Sequence, residues 1–172
     1  MPDSDQPAEL SEEAAAIAAE ISARLRQSDG TVAVAESLTS GRIASELGAA
    51  PEASAWFAGG ITAYASEIKF KVLGVDPGPV ITAHCARQMA DGVVQLMNAD
   101  YGVAVTGAGG PDSEEGHPAG TVFAAVHRPG HTETSEYHFT GDPATVVKTA
   151  TREALAILLA AVRADLDREG TG

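Results

Sequence analysis

Apolar residues recur at Ala14, Ile17, Ile21 and Leu25, and this three-to-four spacing predicts an amphipathic helix that buries one face. Ser11, followed by Glu12 and Glu13, supplies a helix start, and Gly30 a stop. Residues 1–10 are polar and acidic and are expected to form a disordered tail ahead of a single domain over residues 11–168. The period then changes. Thr31 to Ala35 is a short β-branched run that predicts a buried strand, and Glu36 to Gly41 is a polar turn leading into a second helix. Ser37 therefore falls just beyond a strand end. Gly59 to Tyr64 predicts another strand, ended by Tyr64. Ser66 is expected to cap a short helix that stops by Gly74 and carries Lys69 in its first turn.

Thr82 to Met97 places Met89, Val93, Leu96 and Met97 at helical spacing, and Tyr101 to Val105 predicts a third buried strand. That strand runs into Thr106-Gly107-Ala108-Gly109-Gly110-Pro111. Gly120 to His127 and Glu133 to Phe139 are β-rich and separated by Arg128-Pro129-Gly130-His131-Thr132, the pattern of an antiparallel hairpin. Val146, Val147, Ala150, Ala154, Leu158 and Val162 mark a closing helix over about 143–166, with Pro143 in its first turn. Strands alternating with helices and ending in one hairpin predict a three-layer α/β/α domain on a mixed sheet of about five strands. In such sheets ligands bind beyond the carboxyl ends of parallel strands, so the loops at 36–41, 64–69 and 106–111 are expected to share one face.

Composition narrows the function classes. A chain of 172 residues that is 44% apolar supports one compact core, and its net charge of −13 repels a nucleic-acid backbone. The lone Cys85 cannot form an internal disulfide, and the N-terminal Met1-Pro2-Asp3-Ser4-Asp5 has no signal-peptide pattern, so a cytoplasmic location is expected. No apolar run reaches the roughly 18 residues of a membrane span. The expected partner is a small-molecule substrate, with neither nucleic acid nor membrane, and with room left for a homo-oligomer.

Ser37 lies in Ala35-Glu36-Ser37-Leu38-Thr39-Ser40-Gly41, residue types that also punctuate ordinary turns. A serine hydroxyl becomes a useful nucleophile when a neighbour takes its proton. Lys69 can do so if burial and the adjacent helix N-terminus keep its amine neutral. A strand-to-helix corner between Tyr64 and Lys69 brings both toward Ser37, where Tyr64 could relay a proton or steady an oxyanion. The glycines of 106–111 allow backbone N–H groups to approach an oxyanion or a phosphate closely, although the run fits neither G-x-G-x-x-G nor a P-loop. Ser66-x-x-Lys69 matches the S-x-x-K of penicillin-binding enzymes without their other motifs. His84, His117, His127, His131 and His138 include no H-x-x-x-H, and His127 and His138 could meet across the hairpin. Asp112, Glu114 and Glu115 read as a solvated acidic turn. Neither a metal nor an organic cofactor is expected.

With these residues in view, the chain resembles the family of the C-terminal domain of the competence-damage-inducible protein CinA, from about Val32 to Leu159. The resemblance rests on Ala35-Glu36-Ser37-x-Thr39-x-Gly41, Ser54-x-Trp56-Phe57-x-x-Gly60-x-x-x-Tyr64-x-x-x-x-Lys69 and Leu73-Gly74-Val75, then Thr106-Gly107-x-x-Gly110-Pro111, Gly120-Thr121-Val122 and Phe139-x-Gly141-Asp142. It implies a metal-independent amidohydrolase that converts nicotinamide mononucleotide to nicotinate mononucleotide and ammonia. It further implies Ser37, Tyr64 and Lys69 in the catalytic places, and Glu36, Thr39, Gly41, Thr106, Gly107, Gly109 and Gly110 as substrate-binding positions. The chain departs from the family pattern at Leu38, Ser40 and Ala65-Ser66, and it carries Pro143 and Val147 where the family commonly has arginine. Arg42, Lys71, Lys148 and Arg152 are the basic residues that could compensate. A non-catalytic binding module on the same fold and an amidase for a related pyridine nucleotide stay open as alternatives.

Overall fold

The computed structural model describes residues 6–170. In chain order it contains α1 (Gln6–Ser28), β1 (Val32–Glu36), α2 (Arg42–Ala49), a short 3-10 turn (Ala53–Ala55), β2 (Phe57–Thr62), α3 (Ser66–Leu73), α4 (Ala83–Met97), β3 (Tyr101–Gly107), β4 (Thr121–Arg128), β5 (His131–His138) and α5 (Pro143–Glu169). The strands form one mixed sheet in the order β2-β1-β3-β4-β5. β1 pairs parallel with β2 and β3, and β4 pairs antiparallel with β3 and β5.

Side-chain alternation along the strands explains the layering. Val32, Val34, Val103, Val105, Val122 and Val126 point to one face and pack with Ile21 and Leu25 of α1, Ile43 and Leu47 of α2, and Leu155 and Leu158 of α5. Ala33, Ala35, Ala104 and Ala125 point to the other face, against Met89, Ala90 and Val93 of α4. The second face is lined with alanine, which lets α4 lie close to the sheet: a Cβ at Gly102 would come within 2.9 Å of the Ala90 carbonyl oxygen. The expected three-layer architecture is present.

Several boundaries differ from those expected. Residues 6–10 belong to α1 rather than to a tail, because Ala8, Glu9 and Leu10 are helix formers that extend an established helix at little cost. Ser11 is therefore inside the helix and does not start it, and Met1 to Asp5 lie outside the described residues. Strand β2 ends at Thr62, so Tyr64 sits in the connection to α3 rather than at a strand end. Ser66 is the first helical residue of α3, and Ala65 holds the cap position with no side-chain bond. The β4–β5 hairpin is tighter than expected, with Arg128 opposite His131, so only Pro129 and Gly130 form its loop. His127 and His138 do not meet, because the register sets His127 opposite Thr132 and His138 opposite Thr121.

Two caps matter for the site. Asp142 accepts a hydrogen bond from the Thr145 N–H at the start of α5, with Pro143 following it where no donor is needed. At α2, the buried Glu36 carboxylate accepts from the Ile43 and Ala44 N–H groups at 2.9 and 3.0 Å and from the Thr39 hydroxyl at 2.6 Å. A carboxylate at a helix N-terminus meets both the orphan N–H groups and the favourable end of the dipole. No described helix is long and apolar enough to cross a membrane.

Candidate active site

The chain leaves β1 to build β2 on one side and returns to build β3 on the other, so the connections leaving β1 and β3 diverge at the carboxyl ends of these strands. Such a point of reversal leaves a crevice. Ser37 follows β1, Lys69 lies in α3 beyond β2, and the 106–111 loop closes β3. A cavity of about 440 Å³ opens there, lined among others by Ser37, Tyr64, Lys69, Thr106, Gly109 and Gly110.

Lys69 reaches Ser37 from across the crevice. Its Nζ donates to Ser37 Oγ at 3.0 Å, to the Ala63 carbonyl at 2.7 Å and to the Tyr64 carbonyl at 3.2 Å. Only 1% of Lys69 is exposed to solvent. That burial pushes the ammonium below the ordinary lysine value of 10.5, and the nearby Cys85 sulfur and the Glu114 and Glu115 carboxylates partly oppose it. In the neutral amine the two N–H groups satisfy the two carbonyls. The lone pair then faces Ser37 Oγ, the orientation a general base requires. Cys85, buried in the neighbouring core, is no rival nucleophile, since burial holds its thiol up at about 11.

Gly109 and Gly110 line the same cavity as Ser37, and among the described residues their N–H groups enter no hydrogen bond, which leaves them for a developing oxyanion. Gly110 has φ +85°, which glycine adopts without strain, and a Cβ at Gly107 would stand 2.5 Å from the Thr121 carbonyl oxygen. The loop conformation therefore requires glycine at both positions.

The structure divides the expected site residues into two groups. Ser37, Tyr64, Lys69, Thr106, Gly107, Gly109 and Gly110 line one cavity. Glu36, Thr39 and Gly41 do not line it; they build the turn beneath Ser37, with the oxygens of Glu36 spent on Thr39 and α2. Thr106 lines the cavity, but its hydroxyl donates to the Val80 carbonyl at 2.7 Å. Tyr64 is 69% exposed at the cavity mouth, and it touches Lys69 through its backbone carbonyl.

Sequence reasoning missed the wall formed by Val80 and Ile81. Their N–H groups both donate to the Glu115 carboxylate, at 2.8–3.1 Å. Glu115 thus ties two loops together 34 and 35 residues apart, a pairing that no local pattern announces. Glu114 and Asp112, read as a solvated turn, line the cavity. Among the described residues no three His, Cys, Asp or Glu side chains gather as metal ligands.

The CinA C-terminal domain family model matches residues 14–162. A provisionally named competence-damage inducible protein of Listeria innocua is 40% identical over 124 residues, which cover 69% of this chain and 30% of that protein. The chain thus spans under a third of that relative's length. Protein YdeJ of Escherichia coli is 37% identical over 145 residues, 81% of this chain and 84% of its own length. A crystal structure of a CinA superfamily protein from Escherichia coli superposes with a TM-score of 0.81 at 36% identity, covering 83% of this chain and 87% of that one. One from Klebsiella pneumoniae 700603 gives 0.84 at 31% identity, covering 87% and 98%. With the motifs, the sheet order and these matches in agreement, the chain belongs to the CinA C-terminal domain family.

Proposed function

We propose that this protein is a serine–lysine amidohydrolase that hydrolyses the carboxamide of a pyridine nucleotide or of its nucleoside, with nicotinamide mononucleotide as the reference substrate. The observation that carries the reading is the 3.0 Å contact between buried Lys69 Nζ and Ser37 Oγ inside a substrate-sized cavity.

Neutral Lys69 takes the Ser37 proton as Oγ bonds to the carboxamide carbon. The resulting oxyanion is stabilised by the Gly109 and Gly110 N–H groups. The C–N bond then breaks, the electron pair leaves with nitrogen, and Lys69 returns the proton so that ammonia departs. A water molecule, deprotonated by the same amine, attacks the Ser37 ester and releases the carboxylic acid. Ser37 recovers its proton, and the net reaction is amide plus water giving acid plus ammonia.

The test is ammonia release from nicotinamide mononucleotide, with the product identified by mass spectrometry. The proposal expects one ammonia per carboxylate formed and no loss of rate on chelation, since no step uses a Lewis acid. Saturable binding with no ammonia would instead identify a binding module.

A further inference from the structure

The charged side chains that line the cavity are Lys69, Asp112 and Glu114. Lys69 has its Nζ engaged by Ser37 and two carbonyls, and burial works against its charge. The remaining formal charge on the walls is negative. Asp112 and Glu114 are exposed, and the mouth adds the open aromatic face of Tyr64.

The basic residues that could supply a counter-charge are turned elsewhere. Arg42 and Lys148 line a separate hollow between α1, α2 and α5. Lys71 is exposed beside Glu67, and Arg152 pairs with Glu13 and Glu153. Pro143 and Val147, the α5 residues on the cavity wall, carry no charge, and the Asp142 carboxylate already occupies the Thr145 N–H at the head of that helix. Among the described residues, a phosphate dianion placed here would meet two carboxylates and no free cation. A pyridinium ring would meet two carboxylates and a tyrosine face, both of which attract it.

We infer that the cavity selects a cationic, phosphate-free pyridinium carboxamide, the nucleoside rather than the nucleotide. This rests on the amidase reading for the reaction itself, but the charge preference is a property of the walls and shows in binding alone. The class of reaction that supplies such a substrate is dephosphorylation of the nucleotide or cleavage of a dinucleotide followed by loss of phosphate.

The experiment compares nicotinamide riboside with nicotinamide mononucleotide in two readouts: kcat/KM for ammonia release by the wild type, and Kd by calorimetry on Ser37→Ala. The riboside is expected to exceed the nucleotide in both, and parity or a preference for the nucleotide in either overturns the inference. Ammonia from neither compound with tighter binding of the riboside overturns the amidase reading and upholds the selectivity, whereas binding of neither overturns both. Val147→Arg adds the missing cation to the wall and is expected to raise the nucleotide-to-riboside ratio at least tenfold. An unchanged ratio in that folded variant also overturns the inference.

Discussion

Two regions among the described residues hold a hydroxyl next to a basic group, and only one of them opens on a cavity. At the carboxyl ends of β1 and β3, Ser37 Oγ meets Lys69 Nζ in an open cavity with unpaired glycine N–H groups alongside. On the hairpin side, Thr132, His127 and Asp91 form an equally compact cluster. Thr132 Oγ1 donates to Asp91 at 2.6 Å, and His127 Nδ1 lies 2.7 Å from Asp91 and 3.0 Å from Thr132. Because the Thr132 proton is committed to the carboxylate, His127 Nδ1 carries the hydrogen in this network and cannot act as a base toward the hydroxyl. A catalytic pair needs a lone pair aimed at the proton and space for a substrate; the His127 cluster ties α4 to the hairpin instead.

The largest expected contrast comes from removing a basic or acidic partner in each region. Lys69→Met should lower kcat/KM for ammonia release by about 10³-fold, the scale of a lost general base. Asp91→Asn should leave it within about twofold while costing roughly 1–3 kcal/mol of stability, read by denaturant unfolding. Equal losses of activity in the two variants would erase the distinction.

Next in size is the turn beneath Ser37. Glu36→Gln keeps the shape but weakens a charged acceptor shared by two N–H groups and the Thr39 hydroxyl. Bonds of that kind are worth about 1.5–3 kcal/mol each, so a clear fall in Tm is expected, with activity lost through misplacement of Ser37. Full activity in a destabilised Glu36→Gln protein would show that the turn does not position the nucleophile.

Titration sharpens the same contrast. Burial lowers the Lys69 value from 10.5, so kcat/KM should climb as pH rises through that lowered value, and Lys69→Met should lack the ascending limb. The folded state binds this proton less tightly than the unfolded chain. Stability associated with the neutral amine is therefore complete above the unfolded value of 10.5 and is lost as pH falls through the folded one. The Tm of Lys69→Met relative to wild type should accordingly be most favourable below the lowered folded value and decline as pH rises from there toward 10.5. A pH-independent difference would mean that burial does not destabilise the ammonium.

The smallest effect is expected at Tyr64. Its ring stands open at the mouth, and its tie to Lys69 is a main-chain carbonyl that any residue supplies. Tyr64→Phe should cost less than about tenfold in kcat/KM, below the 10²-fold or more of a proton-transfer partner. A larger loss would place the hydroxyl on the reacting atoms.

Much of this arrangement was legible in the sequence because strand periodicity fixes where strands end, and parallel strands put their carboxyl ends together. Ser37 and the 106–111 loop followed directly, and Lys69 followed from the helix start after Ala65. Side-chain direction was less accessible. Glu36 and Thr39 belong to the same short motif as Ser37, yet they turn under α2, since a helix with a glycine at its cap position needs its N–H groups satisfied by some other residue. Glu115 and the Val80–Ile81 wall were invisible because their bond joins two loops with no periodicity of their own. Asp112 and Glu114 looked like any solvated acidic turn until the fold set them on the cavity wall.

The most direct measurement is ammonia release by Ser37→Ala, alone and combined with Lys69→Met, with folding checked by circular dichroism. Nucleophile and base act as one unit, so each single variant should fall by at least about 10³-fold and the double variant no further than the worse of the two. A folded Ser37→Ala protein that keeps its rate within tenfold of wild type would contradict the assignment of Ser37 as the nucleophile.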